Sequence, residues 1–400
     1  MLNTFSAALF GAVSKHIELS PTRQETLCWL VTALLSAGTT SLWKLAPHVG
    51  SKAEVDSVYR RLARFFQHVR FNGVAFARMI VVMLGLDKIG AWDMALDRTN
   101  WKLGKVHINI LMLGVLWNGV CVPLFWILLP KAGNSNTDER IKLLKKLQRT
   151  FPDQRLGSLM GDREFIGGAW MEWLTNAGVS FVLRLREDMH VFNDAHAPLP
   201  LAHVARNVRV GQTMILKGFW RLGQTEADAS PLVRIIILRL ESGELLSLAA
   251  DKKPKTALAR YRTRWKIETL FAALKTRGFD LEATHITAPK KLVLLVGVLA
   301  LASALAYKTG LWVTKLKPTA IKKHGRLAKS IFRRGLETLK KLLASTDTGQ
   351  TKNVFAALLS PKLQTNPLIY MLRKRESGTM IRGTNFTAKN YDRRKLLPAA

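Results

Sequence analysis

The sequence contains very little cysteine. Only Cys28 and Cys121 occur among 400 residues, and neither has a partner at the spacing of a zinc site. Two isolated cysteines exclude a disulfide framework and a thiolate metal cluster as sources of stability or activity. This composition is typical of proteins of a reducing cytoplasm, which is the localisation that we expect.

Acidic residues are also scarce relative to basic ones. The chain has 61 Lys and Arg against 28 Asp and Glu, which gives a formal charge of +33. This excess is larger than solubility requires and predicts a polyanionic partner, with nucleic acid as the first candidate. Residues 312–400 hold 20 basic and only four acidic residues, so they are predicted to form a binding surface or a loose tail.

The chain has little that suggests a membrane span. The one candidate runs from Leu292 to Tyr307, and its 16 uncharged residues fall short of the roughly 20 that cross a bilayer. We interpret this run as a buried core helix, with a membrane helix as the alternative. The apolar N-terminal stretch has no basic residues before it, so no signal peptide is predicted and no membrane partner is expected.

The apolar content of 48% is enough for a large core with accessory regions. Residues 1–88 show helical periodicity and predict a helical N-terminal DNA-binding region with a helix-turn-helix-like unit. A three-helix packing module without a ligand is the alternative. From Trp92 onwards the pattern changes to short apolar segments that are typical of strands.

The segment after Trp92 predicts the element order βββαβαβ. Two tight connections, one of them Asn118-Gly119, imply that the first three strands form an antiparallel meander. The helix that follows opens at a capping Asn or Thr, and the next helix closes on Gly178. In a mixed sheet of this order the first and fourth strands are neighbours.

The remaining boundaries follow from changes in this rhythm. The α/β core has a first part at 89–187 and a second part at 245–310, separated by a β-rich insertion at 188–244. Residues 311–400 are predicted to be a basic helical C-terminal region and tail. The predicted fold class is therefore α/β, with helical regions on both sides of a mixed-sheet core.

The stretch from Lys255 to Arg277 is predicted to be a helix with two different faces. At 100° per residue, one stripe about 60° wide holds four functional side chains: Tyr261, Arg264, Glu268 and Lys275. The opposite face is apolar, as expected of a helix that packs on a sheet. A carboxylate among a phenol, a guanidinium and an ammonium suits metal and phosphate. A solvated basic face with one salt-bridging glutamate is the alternative.

Two strand ends carry further acids. Asp97 is predicted to end the first strand and Asp162 the fourth, so these neighbours can meet, and the helix can add Glu268. Three carboxylates without a histidine or cysteine cluster favour Mg²⁺ or Mn²⁺ over zinc, and two such ions would suit phosphodiester chemistry. The alternatives are that Asp97 caps a turn and that Asp162 caps a helix or pairs with Arg163.

The helix stripe resembles the YREK signature of the insertion sequence 4 family of bacterial DDE transposases. The matching spacing is Tyr261, two residues, Arg264, three residues, Glu268, six residues, Lys275. The segments LDRTNWKLGKVHINIL around Asp97 and GDREF around Asp162 resemble the first and second acid blocks of that family. The resemblance covers roughly residues 90–310.

This resemblance implies a fold and a set of roles. It implies an RNase H-like mixed-sheet catalytic core interrupted by a β-rich insertion, with Asp97, Asp162 and Glu268 as the metal triad. Tyr261, Arg264 and Lys275 would hold the phosphates of the transposon end.

Some family members also cut the second strand through a DNA hairpin and stack a flipped base on a tryptophan of the insertion. The matching position here holds Glu244, Leu245 and Leu246. Trp220 is a possible substitute, and a tryptophan packed in a β-hairpin is the alternative.

The function that we expect is DNA transposition. The enzyme would use Mg²⁺, with Mn²⁺ as a substitute and two ions in all, to cut double-stranded DNA at terminal inverted repeats and transfer the 3′-hydroxyl ends to target DNA. It would act as a homodimer in a synaptic complex, in the bacterial cytoplasm and associated with the nucleoid. The alternatives are an RNase H-like nuclease without strand transfer, a membrane protein, and a non-enzymatic DNA-binding protein. The last would require the loss of at least one acid, and all three are present.

Overall fold

A computed structural model describes residues 4–104, 106–225, 230–323, 327–345 and 348–360. The chain divides into two compact units. Among the described residues, the helical unit comprises 4–69, 79–85 and those from 301 to 360, and the sheet unit comprises 70–78 and those from 86 to 300. The tail predicted at the end of the chain lies outside the described residues.

The N-terminal region is helical, as its apolar periodicity predicts. Its helices are α1 (Thr4–Val13), α2 (Pro21–Ala37), α3 (Leu42–Leu45), α4 (Val55–His68) and α5 (Gly73–Leu84). Arg61 of α4 donates hydrogen bonds to Thr26 Oγ1 and Thr22 O of α2. Arg61 is therefore used for packing between these two helices, and DNA binding by this region stays a prediction.

The sheet unit begins with three antiparallel strands, which confirms the predicted meander. They are β1 (Trp92–Leu103), β2 (Val106–Trp117) and β3 (Val120–Leu128). The turn between β2 and β3 is Asn118-Gly119, with φ angles of 46° and 79°. Two consecutive positive φ angles are those of a type I′ turn, for which Asn-Gly is the preferred sequence.

The next elements are α6 (Thr137–Thr150), β4 (Leu156–Gly161), α7 (Gly168–Asn176) and β5 (Ser180–Arg184). The first of these helices begins with a capping box, in which Asn136 and Glu139 each accept the other's backbone N–H. β4 pairs in parallel with both β1 and β5, so the first and fourth strands are neighbours, as predicted. The resulting order β3-β2-β1-β4-β5 is that of an RNase H-like core.

The segment before the long helix is rich in β structure. It contains β6 (His190–Asn193), β7 (His196–Pro200), α8 (Leu201–Val204), β8 (Thr213–Ile215), β9 (Arg221–Leu222), β10 (Arg234–Arg239) and β11 (Leu245–Ala250). Strands β7, β6 and β9 form a small separate sheet. Strands β11, β10 and β8 instead continue the main sheet beyond β5 to a total of eight strands. The sequence placed β11 in the core but β8 and β10 in the insertion, so it did not predict that these two would join the main sheet.

Helix α9 (Pro254–Leu274) carries the predicted stripe. Its predicted apolar face is buried, and it comprises Ile267, Leu270, Phe271 and Leu274. Tyr261 and Ala257 pack in a core cluster with residues of four sheet strands, including Met160 of β4. The helix ends at Leu274, so the prediction that it continues through Lys275 is wrong.

Helix α10 (Pro289–Leu316) contains the predicted apolar run. It has 28 residues, and 94% of its most apolar 18-residue window is buried. Within the described ranges it is the one continuous helix long and apolar enough to cross a membrane, and α2 with Leu42–His48 would qualify only as a bent pair. The extent of burial is that of a core helix, as predicted.

The helical unit is completed by α11 (Ile331–Leu343) and α12 (Thr348–Leu359). Phe5 of α1 and Phe355 of α12 meet edge to face, with their ring centroids 4.7 Å apart. Lys308 of α10 is also buried in this unit and donates to Met83 O and Ser360 O, both at 2.7 Å. The N-terminal and C-terminal regions thus share one core.

Candidate active site

Asp97 and Asp162 lie side by side where the parallel pairing of β1 and β4 ends. The last parallel pair joins Leu96 of β1 and Gly161 of β4, and Asp97 and Asp162 directly follow these two residues. The prediction that Asp97 ends its strand is wrong, because β1 continues to Leu103 in its pairing with β2. Asp97 therefore caps no turn. It lies within β1, at the point where the pairing of β1 with β4 ends.

The approach to Asp162 is sterically tight. A β-carbon at Gly161 would lie 2.9 Å from Phe165 Cβ and 3.0 Å from Leu183 Cδ2, so this position accepts only glycine without a shift of its neighbours. Asp162 then begins a single turn of 3₁₀-helix, and its Oδ1 accepts the backbone N–H of Arg163 at 2.8 Å. Asp162 thus caps this turn, as one of the alternatives predicted, and its second carboxylate oxygen, Oδ2, takes no part in the cap.

Helix α9 places a buried arginine among the predicted acids. Arg264 Nη1 donates to Asp97 Oδ2 at 3.1 Å, and Nη2 donates to Glu268 Oε1 at 2.6 Å. Asp162 Oδ2 lies 4.0 Å from Nη2. The residue is 5% exposed, so the alternative of a solvated basic face is wrong for Arg264. The three carboxylates, here called the carboxylate cluster, converge on one guanidinium.

Burial and neighbouring charges shift the pKa values of Asp97, Arg264 and Tyr261. Burial raises the pKa of Asp97 to about 6, although Arg264 lowers it, and Glu268 and Asp162 add to the rise. Burial alone would lower the pKa of Arg264, but Tyr261 and the carboxylates raise it above its usual value. Burial also raises the pKa of Tyr261, whose hydroxyl donates to Asp162 Oδ1 at 3.3 Å. The guanidinium is therefore charged and the phenol is neutral.

A second ion pair connects the two aspartate-bearing segments, and the sequence reasoning missed it. Arg98 Nε lies 3.3 and 3.2 Å from the two carboxylate oxygens of Glu164, and Nη2 lies 3.1 Å from Oε2. The side chains are only 14% and 17% exposed. Arg98 follows Asp97 and Glu164 stands two residues after Asp162, so the pair fixes one aspartate relative to the other. The signal was in the LDR and DRE triplets of the acid blocks.

Two more polar residues support this ion pair. Asn109 of β2 is 2% exposed, accepts from Arg98 Nη1 at 3.2 Å and donates to two backbone carbonyls of the loop between β3 and α6. Arg140 of α6 donates to Glu164 O at 2.8 Å. Buried polar groups that are all satisfied hold their positions rigidly, so the segment after Asp162 is held from three elements.

The chemistry of the carboxylate cluster fits a hard divalent cation, because its donors are carboxylate oxygens without thiolate or imidazole. In the part of the chain that the structure describes, no group of three or more metal-ligating side chains is close enough to hold an ion. Arg264 supplies the positive charge among the acids instead. A bound cation would therefore compete with the guanidinium for the same oxygens.

Lys275 is separated from the other three stripe residues. It lies one residue beyond α9, and its Nζ donates to Asn100 O at 3.0 Å and pairs with Glu282 at 3.1 Å. The ammonium also lies 5.1 Å from the ring centroid of Trp101. Lys275 is thus held near the far end of β1, whereas Tyr261, Arg264 and Glu268 are together at its middle.

The candidate for base stacking is packed inside the β-rich segment. Trp220 is 6% exposed, and its indole N–H donates to Lys217 O at 2.9 Å. This is the packing that the alternative interpretation of Trp220 described. Glu244, at the position that matches the family's tryptophan, accepts from Arg163 at 2.7 Å and from Arg184 at 2.5 Å. Arg163 is therefore paired with Glu244 and not with Asp162.

The strand order and the carboxylate cluster together define an RNase H-like domain with an acidic site where the parallel pairing of β1 and β4 ends. The family model described as the transposase DDE domain matches residues 94–305, which is more than half of the chain. The chain therefore belongs to the DDE transposase domain family. Comparison with curated proteins gives no match.

Among solved structures, the chain is similar to a piggyBac transposase in a synaptic complex with hairpin DNA, determined by cryo-EM. The sequences are 12% identical, the TM-score is 0.42, and the match covers 95% of this chain and 87% of that one. At this level the similarity carries no argument about activity.

Proposed function

We propose that this protein is a DNA transposase of the insertion sequence 4 type, with Asp97, Asp162 and Glu268 as its catalytic triad. The observation that carries the proposal is the convergence of these three acids, from two strands and one helix, on the guanidinium of Arg264. Such a concentration of charge around a buried guanidinium is costly unless the charges are paired, and it is typical of functional sites.

The three carboxylates would hold Mg²⁺, with Mn²⁺ as a substitute and probe, in a site for two ions. Bound there, divalent ions would activate the attacking oxygen and stabilise the leaving oxygen of a phosphodiester. Arg264, released from the acids by the incoming cation, has a planar fork that can bind two phosphate oxygens. The hydroxyl of Tyr261 can donate to a third oxygen, and Lys275 would contact a phosphate farther along the strand.

The proposed reaction has two steps at this one site. In the first, water forms a bond to the phosphorus at the element's end, and the bond to the 3′-oxygen breaks, which leaves a 3′-hydroxyl. In the second, that hydroxyl attacks a phosphorus of the target DNA and displaces the target's own 3′-oxygen. Both inverted repeats must be present at insertion, so we propose a homodimer in the synaptic complex, acting on DNA of the bacterial nucleoid. Because Trp220 is packed, it is not proposed as the residue that stacks a flipped base.

The test is nicking of a duplex that carries the element's terminal repeat. Asp162→Asn and Glu268→Gln should lose nicking completely in Mg²⁺ and in Mn²⁺, while their affinity for the duplex stays within a few-fold of wild type. Glu172→Gln on α7 is the matched control, because Glu172 is exposed and the substitution removes the same negative charge. Wild-type nicking by Glu268→Gln would remove this glutamate from the triad.

Strand transfer distinguishes a transposase from a nuclease. A duplex with a free 3′-hydroxyl at its end should become covalently joined to a target plasmid in Mg²⁺. Nicking without joined product would leave a nuclease as the function.

A further inference from the structure

A second cationic site lies in the sheet unit, between the first turns of α5 and the later turns of α6. It is a cleft of about 330 Å³, here called the basic cleft, lined by Val74, Arg78, Lys142, Lys146, Arg149 and Thr150. Four of these six residues are cationic, and none is acidic. A volume of this size equals that of about ten waters at ~30 Å³ each, so it accommodates a phosphate group and its hydration.

The arrangement of α6 concentrates these charges. Lys142, Lys146 and Arg149 follow each other at intervals of four and three residues, so they form one stripe of the helix, and Arg78 of α5 faces them across the cleft. Like charges at these intervals destabilise a helix, so the stripe has no value for the stability of α6 itself.

The four cations have no counter-charge of their own. Within the described ranges, none of their side chains forms an ion pair or a hydrogen bond. Lys146 Nζ lies 5.1 Å from the ring centroid of Phe125. Burial, together with the nearby charge of Lys142, lowers the pKa of Lys146. Mutual repulsion within the cleft would be relieved by a bound anion.

The cleft is distinct from the carboxylate cluster. Arg140, whose guanidinium reaches Glu164 O beside Asp162, marks the end of α6 that is close to the candidate active site. Arg149 lies nine residues farther along, a distance of about 14 Å at 1.5 Å per residue. This corresponds to about four base-pair steps of 3.4 Å, so one duplex is long enough to contact both places.

We propose that the basic cleft binds the phosphodiester backbone of the DNA on which the enzyme acts, outside the reacting phosphate. The proposal rests on the proposed function, which supplies DNA as the substrate. Contacts of this kind fix the register of the duplex without reading its sequence, so the cleft would hold the DNA while the carboxylate cluster cuts it.

The experiment compares two adjacent lysines of α6. Lys146→Gln removes a charge from the cleft, and Lys145→Gln removes one from the exposed surface just outside it. The affinity of the full chain for a duplex of about 40 base pairs is measured over a series of salt concentrations in EDTA, which prevents cleavage. Each lost phosphate contact lowers the slope of log K against log salt by about 0.9, and lowers affinity roughly eightfold near 0.1 M salt.

The expected result is a slope reduced by about one for Lys146→Gln and by about two for Lys142→Gln/Lys146→Gln. Lys145→Gln should keep the wild-type slope. Folding is not at risk, because the changes relieve repulsion, and thermal unfolding of each variant checks this. Equal slopes for Lys145→Gln and Lys146→Gln would overturn the proposal.

Two further arms complete the test. Inorganic phosphate added at constant ionic strength should not displace the duplex, and displacement that depends on Lys146 would identify a small-anion site instead. In Mg²⁺, the KM of Lys146→Gln for the duplex should rise in step with its loss of affinity, and an unchanged KM would overturn the proposal. If the wild-type protein binds DNA with the expected slopes but never nicks it, the proposed function fails while the basic cleft stands.

Discussion

Arg264 of the sheet unit and Lys308 of the helical unit are both buried cations, but the groups that surround them differ. Arg264 is 5% exposed and is surrounded by the carboxylate cluster. Lys308 is 7% exposed, and its ammonium donates to the backbone carbonyls of Met83 and Ser360. Both side chains have hydrogen-bond partners, but only the arginine faces opposite charges.

The difference appears in the pKa of each group. The neighbours of Arg264 raise its pKa above the usual value despite burial. Burial lowers the pKa of Lys308 from 10.5 to about 8, because carbonyl dipoles do not offset the lost hydration of an ammonium. Lys308 therefore serves as a structural link between the carboxyl ends of α5 and α12, whose last carbonyls lack helical partners. Arg264 pairs with carboxylates to which a metal cation could bind instead.

The largest expected change in stability comes from replacing Arg264, the buried cation that pairs with carboxylates. Arg264→Met leaves the largely buried Asp97 and the partly exposed Asp162 and Glu268 without a counter-charge, so the free energy of unfolding in EDTA should fall by about 3 kcal/mol, the lower end of the range for a broken buried pair. Urea denaturation measures this loss. Added Mg²⁺ should restore part of the stability, because it supplies positive charge to the same oxygens.

Arg260→Met is the matched control on the same helix. The Arg260 side chain is 31% exposed and its ion pair with Asp93 is 3.4 Å long, so the loss should be about 1 kcal/mol or less. Equal losses in the two variants would show that the carboxylate cluster does not depend on Arg264.

An intermediate effect is expected at the ion pair that connects the aspartate segments. Glu164→Gln leaves Arg98 without its counter-charge in a largely buried setting, so stability should fall by about 1.5–3 kcal/mol. Because Glu164 acts through the position of Asp162, kcat for nicking should fall roughly 10- to 100-fold while KM for DNA stays unchanged.

Glu244→Gln is the control for that change. Glu244 is 45% exposed, so its ion pairs should contribute less than about 1 kcal/mol, and kcat should stay near wild type. A rise in KM with unchanged kcat for Glu164→Gln would contradict a positioning role.

The smallest effect is expected at Lys308 and appears as a pH dependence. Since the folded pKa of about 8 lies below the unfolded value of 10.5, the unfolded chain binds more protons between these values, and stability rises with pH there. The gain from pH 7 to pH 9 should be about 1.4 kcal/mol, at 1.36 kcal/mol per unit. Lys308→Met should lack it.

Chemical denaturation of wild type and Lys308→Met at pH 7, 8 and 9 measures this difference. Parallel curves of stability against pH would show that Lys308 keeps an ordinary pKa, and the contrast with Arg264 would disappear. Lys315→Met, which changes a lysine of the last turn of α10, is the control and should follow wild type.

The sequence by itself determined the features that depend only on residues close together in the chain. The Asn118-Gly119 turn, the capping box at Asn136 and the alternation of strands and helices are local, so the order βββαβαβ and the adjacency of β1 and β4 follow from them. The helical repeat of α9 likewise placed Tyr261, Arg264 and Glu268 on one stripe. Spacing within a single element is fixed by backbone geometry, which a sequence pattern reports directly.

Only the tertiary structure decided which groups meet and which are buried. Asp97 and Arg264 are 167 residues apart, and Arg98 and Glu164 are 66 apart, so neither contact follows from the spacing of residues within one element. The joining of β8, β10 and β11 to the main sheet and the meeting of α5 and α6 at the basic cleft are also long-range. Periodicity gives the direction of a side chain from its helix, but burial and charge compensation depend on what the rest of the chain places there.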